Sequence, residues 1–184
     1  MVGTTAHRTR DVMELSNHAW AHDASGVMIL PPPGTGLLQD EIFAYYKEII
    51  ANIHGRIMLY NTPYSSGIDL DFDLFRKLAE LPHVCCIKEA SGDIKRITRM
   101  REELGDEFTI FCGWEDMHHD SFCAGGGGWA CMGGNFAPRL TRELFALVKQ
   151  AHSGRPGRCR RLTIPWQNIW RASARSRRPQ NTLI

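Results

Sequence analysis

The stretch HVCCIKEASGD, residues 83–93, decides how this chain reads. Val84, Cys85, Cys86 and Ile87 make a short continuous apolar run, the mark of a buried strand, and the run stops at Lys88. A lysine at the end of an apolar strand loses hydration, which favours the neutral amine that attacks carbonyl carbon. The same position also suits a lysine that carries its ammonium into solvent on its own aliphatic stem. The rest of the chain decides between the two.

Working outward, further short apolar runs lie at residues 26–30 (GVMIL), 56–60 (RIMLY), 108–112 (FTIFC) and 129–132 (WACM). Helical stripes separate and flank them. In residues 40–53, Ile42, Phe43, Tyr46, Ile49, Ile50 and Ile53 share one broad face, and residues 9–22, 71–80, 93–104, 115–124 and 139–152 also read as helices. Five strands, each followed by a helix, recur roughly every 20–30 residues, as β/α units do. Continuous rather than alternating apolar strands predict a parallel sheet covered on its outer face. The opening helix has no strand before it. A closed eight-stranded barrel takes about 250 residues, so the pattern predicts an α/β fold that is the later part of an incomplete (β/α)8 TIM barrel. An open doubly wound sheet is the alternative.

The chain has 184 residues, 43 % apolar and 23 % charged, an ordinary globular composition. Residues 1–15 are too polar for a secretory leader, and no apolar run reaches membrane-spanning length, which points to a cytoplasmic protein without membrane contact. Six cysteines occur without a CxxC pair. Cys85, Cys86, Cys112 and Cys131 lie in apolar runs and read as reduced core residues, with disulfide or zinc pairing the weaker alternative. Residues 151–184 hold eight arginines and no acid, whereas the first 150 residues hold 14 basic and 20 acidic side chains. An acidic body with a basic tail argues against nucleic acid as a partner. The expected division is a partial barrel over residues 1–152 and a basic tail over 153–184. Within the tail, Leu162, Ile164, Trp166, Ile169 and Trp170 fit a short packing helix after Pro165.

Barrels of this kind gather their functional groups at the carboxyl ends of strands and in the loops that follow. That rule selects residues 31–36 (PPPGTG), Tyr60 with the loop 61–67 (NTPYSSG), Lys88, residues 113–116 (GWED) and residues 133–136 (GGNF). Lys88 and Tyr60 close neighbouring strands at equivalent points. Facing inward, they place an amine and a phenol in one pocket: the amine offers an iminium electron sink to a keto acid, and the phenol moves its protons. A strand-end tyrosine with its hydroxyl in water is the plainer alternative. Gly125, Gly126, Gly127 and Gly128 precede a strand instead of opening a helix, so a tight turn competes with a phosphate cradle. Glu115, Asp116, His118, His119 and Asp120 are metal-ligand types, but adjacent helical positions diverge and no HxxxH or HExxH spacing occurs. No metal site is expected.

Lys88 within IKEASGD, Tyr60 within LYNTPYSSG, and the FCGWED and GGNF segments resemble, in matching order, the dihydrodipicolinate synthase / N-acetylneuraminate lyase family. Those enzymes are pyruvate-type class I aldolases, dehydratases and synthases on a (β/α)8 barrel. The resemblance implies Lys88 as the Schiff-base lysine, Tyr60 as the proton-shuttling phenol, and Gly113, Ala130 and Ser65 as substrate-pocket positions, Ala130 through its backbone. It implies a small 2-keto acid as substrate, no cofactor and a homo-oligomer. It also equates the strands with strands 4–8 of the barrel, with the first two β/α units and most of the third strand missing.

Two departures shape the expected substrate. Pro32 and Pro33 stand where members that make dihydrodipicolinate carry a tyrosine pair, and Ser65 stands where they carry an arginine for a second carboxylate. Without a guanidinium fork, a dicarboxylic partner lacks its anchor. The expectation is a Schiff-base aldolase, dehydratase or synthase acting on pyruvate or a related, sugar-derived 2-keto acid. A truncated non-catalytic family member and a phosphate-ligand-binding barrel are the alternatives.

Overall fold

Alternation along the strands sets the two sides of the sheet. Val27, Ile29, Ile57, Leu59, Ile87 and Ile110 are fully buried, while Met28, Tyr60, Lys88, Thr109 and Phe111, which alternate with them, are only half-buried. One face is therefore sealed under helices and the other is a partly open concave surface. The computed structural model describes residues 1–152. The expected tail at 153–184 and its helix lie outside the described residues.

The chain runs β1 (Val2–Gly3), α1 (Thr9–Ala21), β2 (Val27–Ile29), α2 (Gln39–Asn52), β3 (Ile57–Asn61), α3 (Pro63–Ser66) and α4 (Phe72–Ala79). It continues with β4 (Val84–Glu89), α5 (Ile94–Leu104), β5 (Thr109–Cys112), α6 (His118–Cys123), β6 (Gly128–Trp129), a 3-10 turn at Gly133–Asn135 and α7 (Pro138–His152). The six strands pair in chain order and all in parallel. This is an incomplete (β/α)8 barrel with its helices on the outer face. The main core packs the sealed sheet face against Val12 and Ala19 of α1, Ile42, Tyr46 and Ile49 of α2, Leu74, Phe75 and Leu78 of α4, and Ile97 and Met100 of α5. Tyr46 satisfies its buried hydroxyl by donating to Ile29 O at 2.9 Å.

Three expectations about element bounds change. The opening helix does follow a strand: β1 pairs Val2 with Val27 and Gly3 with Met28, two residues being too few to show a pattern. The last strand is Gly128–Trp129, not 129–132, because the Met132 N–H is taken by the Glu115 carboxylate instead of a neighbouring strand. The helix after β5 shortens to six residues, since Glu115 is drawn inward and its carbonyl is held by His118 Nδ1 at 3.0 Å.

A buried polar cluster on the helix side fixes the ends of β3 and β4. Glu89 is 3 % exposed and accepts from Ser91 N at 2.7 Å, Asn61 Nδ2 at 3.1 Å and Arg96 Nε at 3.4 Å. Arg96 also donates to Leu70 O at 2.6 Å and Asp69 Oδ2 at 3.3 Å, and Asn61 Oδ1 accepts from Leu70 N at 3.1 Å. Each charge buried here has partners, as burial requires. The cluster locks the 61–70 loop to the start of α5, directly behind the Tyr60 and Lys88 backbone.

Candidate active site at the strand ends

Tyr60 and Lys88 are partners in the β3–β4 register, and Lys88 pairs in turn with Phe111 of β5. Equivalent positions on parallel neighbours point the same way, so all three lie on the concave face near the carboxyl ends of their strands. Lys88 is the penultimate residue of β4, and Glu89 completes the strand while pointing to the helix side. The Lys88 amine sits over the face of the Tyr60 ring, with Nζ 4.4 Å from the ring centroid. Among the described residues the Tyr60 hydroxyl has no hydrogen-bond partner, which leaves it open to a ligand.

Around this pair is a pocket of about 210 Å³ lined by Tyr60, Thr62, Ser65, Lys88, Gly113 and Glu115 among others. That volume suits a small metabolite. Gly113 gives the amine its room: a Cβ there would lie 2.6 Å from Ala90 Cβ and 3.1 Å from Lys88 Cε. The 61–67 loop turns through the short helix α3, which Pro63 starts and left-handed Gly67 (φ 73°) ends, and so brings Ser65 and the exposed Tyr64 to the rim. Ala130 donates its N–H to Cys112 O at 2.9 Å, beyond the end of β6, and on that side the pocket wall is Met132.

Glu115 belongs to this site as well. It is 4 % exposed, and one carboxylate oxygen accepts from Met132 N. Burial pushes its carboxyl above the ordinary range, opposed by the Met132 and Gly133 N–H groups and by the Lys88 charge. Read as a sequence, Glu115 is one acid in a Glu/Asp/His cluster at a helix start, and nothing local signals that it turns inward. The cluster does not converge: His118 stacks on Trp129 at 4.2 Å, whereas His119 Nδ1 faces Asp120 Oδ1 at 3.2 Å. Burial lowers the pKa of His118 and keeps it neutral. The glycine segment offers no anion cradle in its first three residues, since Gly125, Gly126 and Gly127 donate their N–H groups to Phe122, Ser121 and Ile110 carbonyls.

A primary amine and a phenol thus share a pocket at the carboxyl ends of adjacent parallel strands of a β/α barrel, the end at which such barrels carry their functional groups. The Dihydrodipicolinate synthetase family profile matches residues 1–163, and the chain belongs to that family. Among its relatives, the 4-hydroxy-tetrahydrodipicolinate synthase of Kosmotoga olearia is 30 % identical over 149 residues, 79 % of this chain and 51 % of the relative. That of Clostridium perfringens is 33 % identical over 144 residues, 78 % of this chain and 50 % of the relative. The solved 4-hydroxy-tetrahydrodipicolinate synthase of Methylacidiphilum fumariolicum superposes with a TM-score of 0.88 at 26 % identity, covering 96 % of this chain and 58 % of that one. The dihydrodipicolinate synthase of Thermotoga maritima gives 0.86 at 25 % identity, covering 97 % and 61 %. The chain thus spans about half the length of the curated relatives it matches.

Proposed function

We propose that this chain carries the Schiff-base half-site of a lyase acting on pyruvate or a related 2-keto acid. The observation that carries this reading is the Lys88 amine over the Tyr60 ring in one pocket at the strand ends. In the proposed mechanism the neutral amine adds to the keto carbon, and the resulting carbinolamine loses its hydroxyl as water. The iminium then accepts the electron pair released by C–C cleavage or by loss of a proton from the adjacent carbon. Tyr60, whose hydroxyl is open to a ligand, delivers and removes the protons. Gly113 leaves space for the substrate beside the amine, and Ser65 and Met132, two residues past Ala130, contact it. No step calls on a cofactor.

The pocket rim favours a sugar-derived keto acid over a dicarboxylic partner. The side chain at the tyrosine-loop position is Ser65, a neutral hydroxyl that hydrogen-bonds a polyol but gives no bidentate hold on a carboxylate. A non-catalytic family member is the second reading. It is favoured by the absence, among the described residues, of any group relaying protons to the Tyr60 hydroxyl. Borohydride reduction in the presence of pyruvate separates the two. The active reading expects one reduced pyruvate adduct per chain, mapped to Lys88 and lost in Lys88→Ala. Folded protein that yields no adduct would sink it.

A further inference from the structure

Cys85 and Cys86 take no part in the pocket, yet their sulfurs lie 3.6 Å apart. Consecutive side chains on a strand normally leave on opposite faces. Here the β3–β4 register breaks: Ile57 pairs with Val84, but Met58 pairs with Cys86. Cys85 is the extra residue of a β-bulge, which turns its side chain toward that of Cys86. Cys85 is half-buried and Cys86 is 5 % exposed, with Met58 directly across from Cys86 and Met28 across from Met58. The surroundings are apolar and rich in sulfur. Burial, then the neighbouring Cys85, raises the Cys86 pKa, so the neutral thiol is the resident form.

A disulfide fits this pair badly. Consecutive Cα atoms stand about 3.8 Å apart, short of the roughly 4.4–6.8 Å usual for bridged cysteines. A single soft atom bonded to both sulfurs avoids that contraction, because two bonds of ~2.3 Å, the length of a soft metal–thiolate bond, at the roughly 100° angle of a pyramidal trivalent centre span about 3.5 Å, close to the 3.6 Å between these sulfurs. We propose that the Cys85–Cys86 bulge is a vicinal-dithiol site for a trivalent thiophilic metalloid, arsenite or an organoarsenical.

The binding step is a condensation without redox change. Two As–O bonds of As(OH)3 are replaced by two As–S bonds, each thiol proton leaves with a released hydroxyl as water, and arsenic stays trivalent with its third hydroxyl. The adduct is neutral, as burial demands. A divalent ion would instead need both thiolates and further donors, and no group of three or more His, Cys, Asp or Glu side chains placed to hold a metal occurs among the described residues. Cys85, the more accessible thiol, captures the metalloid and Cys86 closes the chelate. Cys86 lies two residues before Lys88 on the same strand and face, so their backbones are roughly 7 Å apart along the strand.

Titration of the folded full-length chain with phenylarsine oxide, read by intact mass and free-thiol count, tests this site. The expected result is one adduct per chain that consumes two of the six thiols and is released by a small dithiol but not by a monothiol. Cys85→Ala should weaken binding about a hundredfold or more, the loss that accompanies opening a chelate, and Cys123→Ala should leave it unchanged. Cys86→Ala should match Cys85→Ala; if its core substitution prevents folding, the half-exposed Cys85 variant decides alone. Full binding by Cys85→Ala, consumption of one thiol only, an adduct mapped to another cysteine, or tighter binding of Cd2+ would each overturn the proposal. The mass readout is independent of whether Lys88 forms a Schiff base.

Discussion

Gly113 shows how a single residue governs the candidate amine. A Cβ at this position would stand 2.6 Å from Ala90 Cβ, 2.9 Å from Glu89 O and 3.1 Å from Lys88 Cε. The first two neighbours are fixed to the β4 backbone, which the buried Glu89 cluster holds in place, so the lysine stem must move or the strands must part. Gly113→Ala is expected to lose about 1–3 kcal/mol of stability, the usual cost of overpacking, measured as a lower urea midpoint. On the proposed chemistry, borohydride trapping at Lys88 should also slow in protein that remains folded. Gly134→Ala, whose nearest neighbour would be Cys131 Sγ at 3.8 Å, should leave both unchanged. The value of Gly113 was legible only through the family resemblance, because a strand-end glycine carries no signal of what it makes room for. Glu115 was less legible still: its inward turn depends on Met132, 17 residues later.

Elements were easier to read than the joints between them. Every strand but β1 and every helix of six residues or more appears in the apolar periodicity, because burial on one sealed face imposes the pattern directly. What the pattern does not encode is contact made by polar atoms. The short helix α3 hides in a turn-rich NTPYSSG segment, and the bulge at Cys85 hides inside an unbroken apolar run. The Glu89–Arg96 contact is a tertiary fact of the same kind, joining β4 to α5 across a loop. Arg96 has an 11 % exposed side chain and Glu89 a 2 % exposed one. Removing the guanidinium leaves the buried carboxylate with only the neutral donors of Ser91 and Asn61, at an expected cost up to about 3–5 kcal/mol, the penalty of a buried charge that loses its counter-charge. Arg96→Ala should therefore unfold at a much lower urea concentration than the parent. Restoring Glu89 to neutrality in Arg96→Ala/Glu89→Gln should recover part of the loss. A double variant no more stable than the single one would mean that Arg96 acts mainly through its guanidinium over the Phe72 ring, Cζ being 4.9 Å from the ring centroid.

At the scale of the whole molecule, the strand order leaves β1 and β6 with one neighbour each among the described residues. Both are only two residues long, which limits the backbone groups they expose. The larger liability is the apolar surface beside β6, where Met132 is 50 %, Phe136 63 % and Leu140 43 % exposed. The concave sheet face adjoins it, and its Tyr60, Lys88 and Phe111 side chains are only half-buried. Exposed apolar surface drives association when it exceeds what a monomer ordinarily shows. Sedimentation velocity across a concentration series should show a rising weight-average sedimentation coefficient, and Phe136→Glu/Leu140→Glu should shift the series toward monomer. If those charges leave association intact, the concave face or the β1 edge is the contact instead. A monomer at every concentration would mean that this exposed surface does not drive self-association.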